Sequence, residues 1–428
     1  MKIKKISNIS ELKQSIEIDK KIYVIDICDS HCFISCSKES ALFFTYDKSM
    51  FDYVKLNLID SSNFKTFVFD PYYYFGANSY YLKSWFYVNG YNSLDFSDNL
   101  YGNLEEFVLK DRAKICSIFF NNYNDEVKNY SFSLINLCVP VYRNMTKVGL
   151  FVKKFEHDYY DKIKKYIDVD DIFHPPYGLV TSKSSRVASI LHSFPKSMKH
   201  NIVARQGNKI VEMDYNAAEA RVIAYLSDDK NLKKSLKEDI HVYNAKLIFG
   251  DDIEIEEKHR ELAKTIFFGW INGLNMNTIS KSVDLDFNDT RILINKLKKN
   301  YSKIVSWANK LKKDAISQRM ITNKFGRVRN FSSEIIQNSS KASRQIFSFI
   351  IQSTFTDIKL AVMLSLHKHF PDNIVGEITD SIILEFKDDS NLDKNVNKAK
   401  KILEKPFDNQ KLVIPVKITI GDHLKEQK

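Results

Sequence analysis

The sequence predicts an α/β protein of two domains, and three patterns predict it. In the first, Lys209–Asp229, β-branched and apolar residues around Ile210, Val211 and Met213 read as a short buried strand that turns helical from Ala217 to Leu226. In the second, Asn373–Phe386, two apolar runs flank Thr379-Asp380-Ser381 as a β-hairpin flanks its turn. In the third, Ile22–Ile27, Cys32–Ser35 and Ala41–Tyr46 are short apolar runs separated by turn residues, a three-strand meander. A chain of 428 residues is long enough for two such domains, each with an ample core.

Taken in order, the meander is followed by Leu82–Tyr91 and Leu104–Phe120, which read as mixed or helical. Leu134–Lys153 reads as a helix that must stop at Gly149. Ser182–Lys196 is a basic loop-like stretch carrying Ser185, Arg186 and Lys196. In the strand–helix unit, Asp214 falls at the strand end, where a carboxylate facing a crevice can hold a hard cation. Taken alone it could equally cap the helix. The acidic cluster Asp251–Glu257 reads as a solvated loop, and Lys394–Lys405 as a solvated helix face.

The most informative segment is His259–Gly273. Arg260, Lys264, Phe268 and Asn272 recur every four residues, and four α-helical residues advance about 400°, so they form one stripe roughly 18 Å long. Two cations suit a polyphosphate, and the ring one turn on suits a sugar and base. An amphipathic helix with a basic edge would show the same pattern. Asp380 at the hairpin apex could likewise be an ordinary turn aspartate. Two strand-end carboxylates with a cationic helix between them are, however, the parts of a two-metal phosphoryl-transfer site.

These residues resemble the polymerase domain of the family A DNA polymerases, the DNA polymerase I type. Motif A of that family, DYSxIELR, is matched by Asp214 through Glu219 to Arg221, and its DIH by Asp239-Ile240-His241. Motif B, RxxxKxxxFGxxYG, keeps Arg260, Lys264, Phe268, Gly269 and Gly273. A TxxGRxR segment runs from Thr322 through Arg327 to Arg329, one residue longer here, and a helix carrying Arg344, Gln352 and Asp357 follows. Motif C, normally HDE, is Thr379-Asp380-Ser381. The likeness covers about Ser133 to the C-terminus.

The resemblance implies roles residue by residue. Asp214 and Asp380 would hold two Mg²⁺ ions, with Mn²⁺ as a substitute. Arg260 and Lys264 would bind the triphosphate beside His241, and Phe268 would stack on the incoming dNTP. Glu219 would fill the space of a ribose 2′-OH. Arg344 and Gln352 would touch the minor groove of the primer–template DNA, where every base pair offers similar acceptors. Arg186, Lys196, Arg221 and Arg327 would be further DNA contacts. Three departures stand out. Asn272 replaces a Tyr that would stack at the templating base, Ser381 replaces an accessory metal-site Glu, and Thr379 replaces a His at the primer end. Altered fidelity and weakened catalysis are expected, with activity kept.

The same likeness implies a right-hand architecture: a reduced thumb at 131–181, a palm at 182–230 and 345–428, and fingers with adjoining palm at 231–344. Residues 1–130 would be a degenerate 3′–5′ exonuclease-like domain of RNase H-like α/β type. Asp26-Ile27-Cys28 keeps only the first carboxylate of that family's DxE, so no proofreading is expected. A short thumb predicts a distributive enzyme, or one held on DNA by a processivity or replisome protein. The size and divergent motifs suggest a phage- or plasmid-encoded enzyme in a bacterial cytoplasm, with an organelle as the alternative. The rival readings are a single-subunit RNA polymerase, which Glu219 and Phe268 oppose, and a catalytically weak replisome scaffold.

Composition agrees with this without compelling it. A formal charge of +11 and a pI near 9.0 point to a polyanionic partner. Aromatic residues make up 13%, which fits core packing better than an exposed stacking surface for single-stranded DNA. Cys28, Cys32 and Cys36 with His31 lack the usual C-x2-C zinc spacing and, with Cys116 and Cys138, read as small apolar residues in a reducing compartment. No signal-like start and no 18-residue apolar stretch is apparent, so no membrane is expected.

Overall fold

A computed structural model of the chain describes residues 2–16, 22–27, 31–37, 40–45, 48–54, 58, 65–68, 79–81, 89–90, 130–179, 186–250, 252–331, 338–407 and 412–425. It divides into two compact units, Met1–Val139 and Pro140–Lys428, the division falling within one helix.

In the first unit, strands β1 (Lys2–Lys5), β2 (Ile22–Ile27), β3 (His31–Ser35), β4 (Ser40–Thr45), β5 (Lys65–Val68) and β6 (Ser79–Tyr81) make one mixed sheet in the order β1-β4-β3-β2-β5-β6. The expected meander is its antiparallel centre, β2-β3-β4. Strands β1, β5 and β6 add in parallel at its two edges. Helices α1 (Ile9–Ser15) and α2 (Lys48–Val54) supply Leu12 and Val54 to a core shared with Tyr23, Ile25 and Ile34. Cys32 is buried in that core and Cys36 packs at its edge, as small apolar residues do. Cys28, Cys116, Tyr72–Phe75, Leu104–Phe120 and most of Leu82–Tyr91 lie outside the described residues.

Helix α3 (Tyr130–Val148) ends where Gly149 takes φ +64°, a left-handed turn that glycine adopts without strain. A Cβ there would lie 2.6 Å from Ile172 Cγ2 and 2.7 Å from the Phe173 carbonyl oxygen, so the close approach also demands glycine. Between Leu150 and Leu179 the chain holds only a six-residue helix, Asp158–Ile163, a 3₁₀ turn and two-residue strands.

The centre of the second unit is a four-stranded antiparallel sheet built from β7 (Asn208–Tyr215), β8 (Ile374–Ile378), β9 (Ser381–Lys387) and β10 (Val416–Gly421), in the order β8-β9-β7-β10. Ile210, Val211, Met213, Ile382, Ile383 and Leu384 are buried, as expected of strands covered on both faces. Helix α4 (Ala218–Ser227) follows β7, and its neighbour α5 (Ser339–His369) is 31 residues long. By length and composition Lys341–His369 could cross a membrane, against the expectation that no such stretch exists. In its most apolar window 78% is buried inside this unit, so its apolarity serves the core.

Among the described residues six helices lie in sequence between α4 and α5: a short one, Lys230–Ser235, then α6 (Ile240–Phe249), α7 (Glu257–Ile271), α8 (Met276–Val283), α9 (Phe287–Asn300) and α10 (Ser302–Gln318). Asp239 starts α6 by accepting from the amides of His241 and Val242. Glu256 and Glu257, ending the acidic cluster, are solvent-exposed as expected.

Candidate active site

Strand register brings the two predicted carboxylates together. Asp214 pairs directly with Ser381, which places it beside the hairpin turn carrying Asp380. The Ser381 hydroxyl donates to Asp214 Oδ1 at 2.7 Å, and the Tyr215 amide donates to the Asp380 carbonyl at 3.3 Å. Thr379 enters the turn at φ +51°, a left-handed conformation that costs a β-branched residue about 1–3 kcal/mol unless its surroundings impose it. Burial raises the Asp380 pKa; Lys359 and Arg186 pull it down, Asp214 and Glu377 push it up, and the net shift is upward.

Beneath this turn lies a charged cluster that sequence reasoning missed. Lys359, 6% exposed, donates to Glu377 Oε1 and, at 2.5 Å, to the Thr379 carbonyl. Glu377 is fully buried, and its second oxygen accepts from the Tyr142 hydroxyl. The available signal was faint: one lysine inside the apolar run Ile358–Met363 and one glutamate inside Ile374–Ile378.

A cavity of about 810 Å³ opens in front of the turn, lined among others by Glu219, Asp239, His241, Arg260, Phe268 and Asp380. Motif A, the DIH segment, motif B and motif C thus meet on one cavity, while Asp214 and Lys264 do not line it directly. Arg260 donates to Asp239 at 3.0 Å and to Glu261 at 2.7 Å, and Lys264 to Glu261 at 3.0 Å. The His241 ring lies 5.5 Å from Phe268; burial lowers its pKa, and its buried Nδ1 has no partner. Asn272 caps the C-terminus of α7, half-buried. Gly273 beyond it takes φ +67°, and a Cβ there would sit 3.0 Å from Arg344 Cγ.

Arg186 Nη2 donates to Glu219 Oε1 at 2.8 Å, a pairing the sequence did not suggest. Two other arginines expected at DNA make bonds within the protein, although one of them, Arg221, also lines the cavity. Arg327 and Asp357 form an ion pair in which both side chains are 0% exposed, so Arg327 cannot reach a duplex. Arg221 is half-buried and donates to the carbonyls of Asn216 and Leu236, both at 3.0 Å, which ties the start of α4 to the loop before α6. By contrast Lys196 is exposed. Arg344 is half-buried, and Gln352 holds a buried Oε1 without a partner. Ser185 lies outside the described residues.

No group of three or more His, Cys, Asp or Glu side chains is arranged for a metal among the described residues. Two carboxylates nonetheless suit Mg²⁺, which keeps several waters and completes its shell with substrate phosphates. The upward shift at Asp380 comes chiefly from burial, with repulsion from Asp214 and Glu377 adding to it, and a bound cation would favour its charged form.

Comparison with known proteins agrees with this geometry. Residues 137–426 match the model of DNA polymerase family A. The thermostable DNA polymerase I of Thermus filiformis is 26% identical over 229 residues, 51% of this chain and 27% of that protein. The DNA polymerase of Mycobacterium phage D29 is 25% identical over 209 residues, 47% of this chain and 33% of that one. The chain therefore spans about a third or less of these relatives. In fold it is similar to the POL domain of Pol1 from M. smegmatis, solved in complex with DNA primer-template and dNTP, with a TM-score of 0.74 at 13% identity over 95% of this chain and 96% of that domain. With two thirds of its length matched in one run that contains both strand-end carboxylates and the cationic helix, the chain belongs to DNA polymerase family A.

Proposed function

We propose that this chain is a template-directed DNA polymerase that adds dNTPs to a primer 3′-OH and releases pyrophosphate. One observation carries the reading: a single cavity joins Asp380, held beside Asp214 by strand register, to Glu219, His241, Arg260 and Phe268. The unpaired His241 Nδ1 supports a ligand in this cavity, since buried polar atoms rarely stay unpartnered.

Asp214 and Asp380 would hold Mg²⁺, which supplies activation of the attacking hydroxyl and charge stabilisation at the leaving pyrophosphate. Arg260 and Lys264 exchange the Glu261 carboxylate for phosphate oxygens. His241, kept neutral by burial, can donate one hydrogen bond without adding charge. Phe268 stacks on the base, and Glu219, fixed by Arg186, occupies the space of a 2′-OH. Gln352 and Arg344 contact the primer–template minor groove, and Arg186 and Lys196 its backbone.

The finer reading is a reduced thumb at 131–181, a palm at 182–230 and 345–428 around β7–β10, and fingers with adjoining palm at 231–344 over α6–α10. The N-terminal unit is read as an exonuclease-like domain without proofreading, serving structure or partner binding. A processivity protein then compensates for the thumb, and a phage or plasmid origin places the enzyme in a bacterial cytoplasm. Primer extension with Mg²⁺, comparing dNTPs with rNTPs for wild type and Asp214→Ala, tests the core of this. Extension with dNTPs alone, abolished by the substitution, supports it; efficient rNTP use favours an RNA polymerase. DNA binding without synthesis by the wild type favours a scaffold.

A further inference from the structure

We propose that Lys359 is a positioning residue for the catalytic turn: through Glu377 and the Thr379 carbonyl it fixes the left-handed conformation that presents Asp380. The role of Asp380 rests on the polymerase reading above; the anchoring itself rests on geometry alone.

Three points bound the Thr379-Asp380-Ser381 turn. Ser381 is held by its ladder partner Asp214, and the Asp380 carbonyl by the Tyr215 amide. The third point, the Thr379 carbonyl, receives the Lys359 ammonium at 2.5 Å. Thr379 is the residue least suited to its backbone conformation, because a β-branched side chain crowds a φ of +51°. Such a conformation persists only where neighbours over-determine it. Lys359 is itself immobilised: Glu377 Oε1 accepts from it, the Phe355 ring lies 5.6 Å from its Nζ, and the Tyr142 hydroxyl binds the other oxygen of Glu377. The Glu377 amide donates to the Tyr177 hydroxyl at 3.2 Å, which fixes the strand from its backbone as well.

A buried ion pair is a poor source of stability compared with apolar residues of the same volume. Here both partners are nearly solvent-free and lie directly under the turn. An apolar pair would fill the same volume and could not donate to a carbonyl. Geometry thus gives the ammonium a task that packing cannot perform.

Two variants separate positioning from mere stability. Lys359→Met leaves the buried Glu377 carboxylate without its counter-charge, so the unfolding midpoint of this variant should fall. Lys359→Met combined with Glu377→Gln removes both charges and should recover most of that loss. Hydrogen exchange of the peptide carrying the Tyr215 amide, read at a temperature where every variant is folded, reports the turn. Single-nucleotide incorporation reports the chemistry.

For the double variant we expect exchange at least about tenfold faster and kcat at least about tenfold lower, with KM for the nucleotide little changed, the signature of a displaced reacting group. Wild-type exchange and wild-type kcat in that variant would overturn the proposal. If the wild type incorporates nothing, the polymerase reading fails, and the exchange measurement alone decides whether Lys359 orders the turn.

Discussion

The Ser381 hydroxyl donates a 2.7 Å hydrogen bond to Asp214 Oδ1, so the residue that replaces the motif C glutamate touches the motif A carboxylate directly. Ser381 is 1% exposed and pairs with Asp214 across the ladder, which leaves the hydroxyl little freedom to turn elsewhere. It orients one carboxylate oxygen and leaves the other free of that bond.

Ser381→Ala removes a hydrogen bond to a charged acceptor, worth about 1.5–3 kcal/mol. Carried into the rate, that is a fall in kcat of roughly 10- to 100-fold. Single-nucleotide incorporation, with Asp214→Ala as the inactive floor, measures it. A wild-type rate would mean that the hydroxyl is idle.

Asp380 makes a prediction about pH. Its carboxyl binds a proton more tightly in the folded protein than in the unfolded chain, chiefly because it is buried. The stability of the neutral form is therefore fully present below the ordinary value of 3.8 and lost as pH rises through the raised one. Metal-free Asp380→Asn should melt above wild type at neutral pH, with the gap closing below about pH 4, while primer extension is abolished. Calorimetry in chelator at the two pH values checks the sign.

Sugar selectivity should follow Glu219 and, more weakly, Arg186. Glu219→Ala opens the space of a ribose 2′-OH and should reduce the dNTP over rNTP preference in kcat/KM by about 10- to 200-fold, the range a steric pocket commands. Arg186→Ala leaves the carboxylate in place without its 2.8 Å anchor and should shift the ratio the same way by less. An unchanged ratio in both variants would remove Glu219 from sugar discrimination.

Arg327 should matter for folding and not for DNA. Removing one partner of a fully buried ion pair costs about 3–5 kcal/mol, so Arg327→Met should lower the denaturation midpoint sharply. Adding Asp357→Leu should restore much of it. Affinity for primer–template DNA, measured where both variants are folded, should match wild type. A selective loss of DNA binding would return Arg327 to the interface.

Much of the site could be read from residue order, and the reasons differ by element. The strand ending in Asp214 and the hairpin ending in Asp380 announce themselves through local periodicity, which survives in one dimension. The stripe on α7 does so through a spacing of four. Arg221 and Arg327 read as DNA contacts because a basic residue beside a nucleic-acid motif looks the same whether solvated or buried. Their true partners are a pair of loop carbonyls and an aspartate on α5, known only once the chain has folded. Lys359 is one of 64 basic residues, and nothing nearby in sequence separates it from the solvated ones. The antiparallel core of the N-terminal sheet was legible for the same local reason, whereas its parallel edge strands depend on partners distant in sequence.

The strand order β8-β9-β7-β10 has a consequence for biosynthesis. β7 is made first, and its neighbour β9 begins 167 residues after Asp214. At about 5–20 residues per second, this hydrophobic strand emerges roughly 8–33 s before that partner exists. The last strand, β10, covers its other edge. Until then two bare edges bearing Ile210, Val211 and Met213 are a template for mispairing with other nascent chains. Soluble yield should accordingly depend on chaperone capacity and on slow, cool expression, and a chain stalled before Val416 should be both inactive and prone to aggregate.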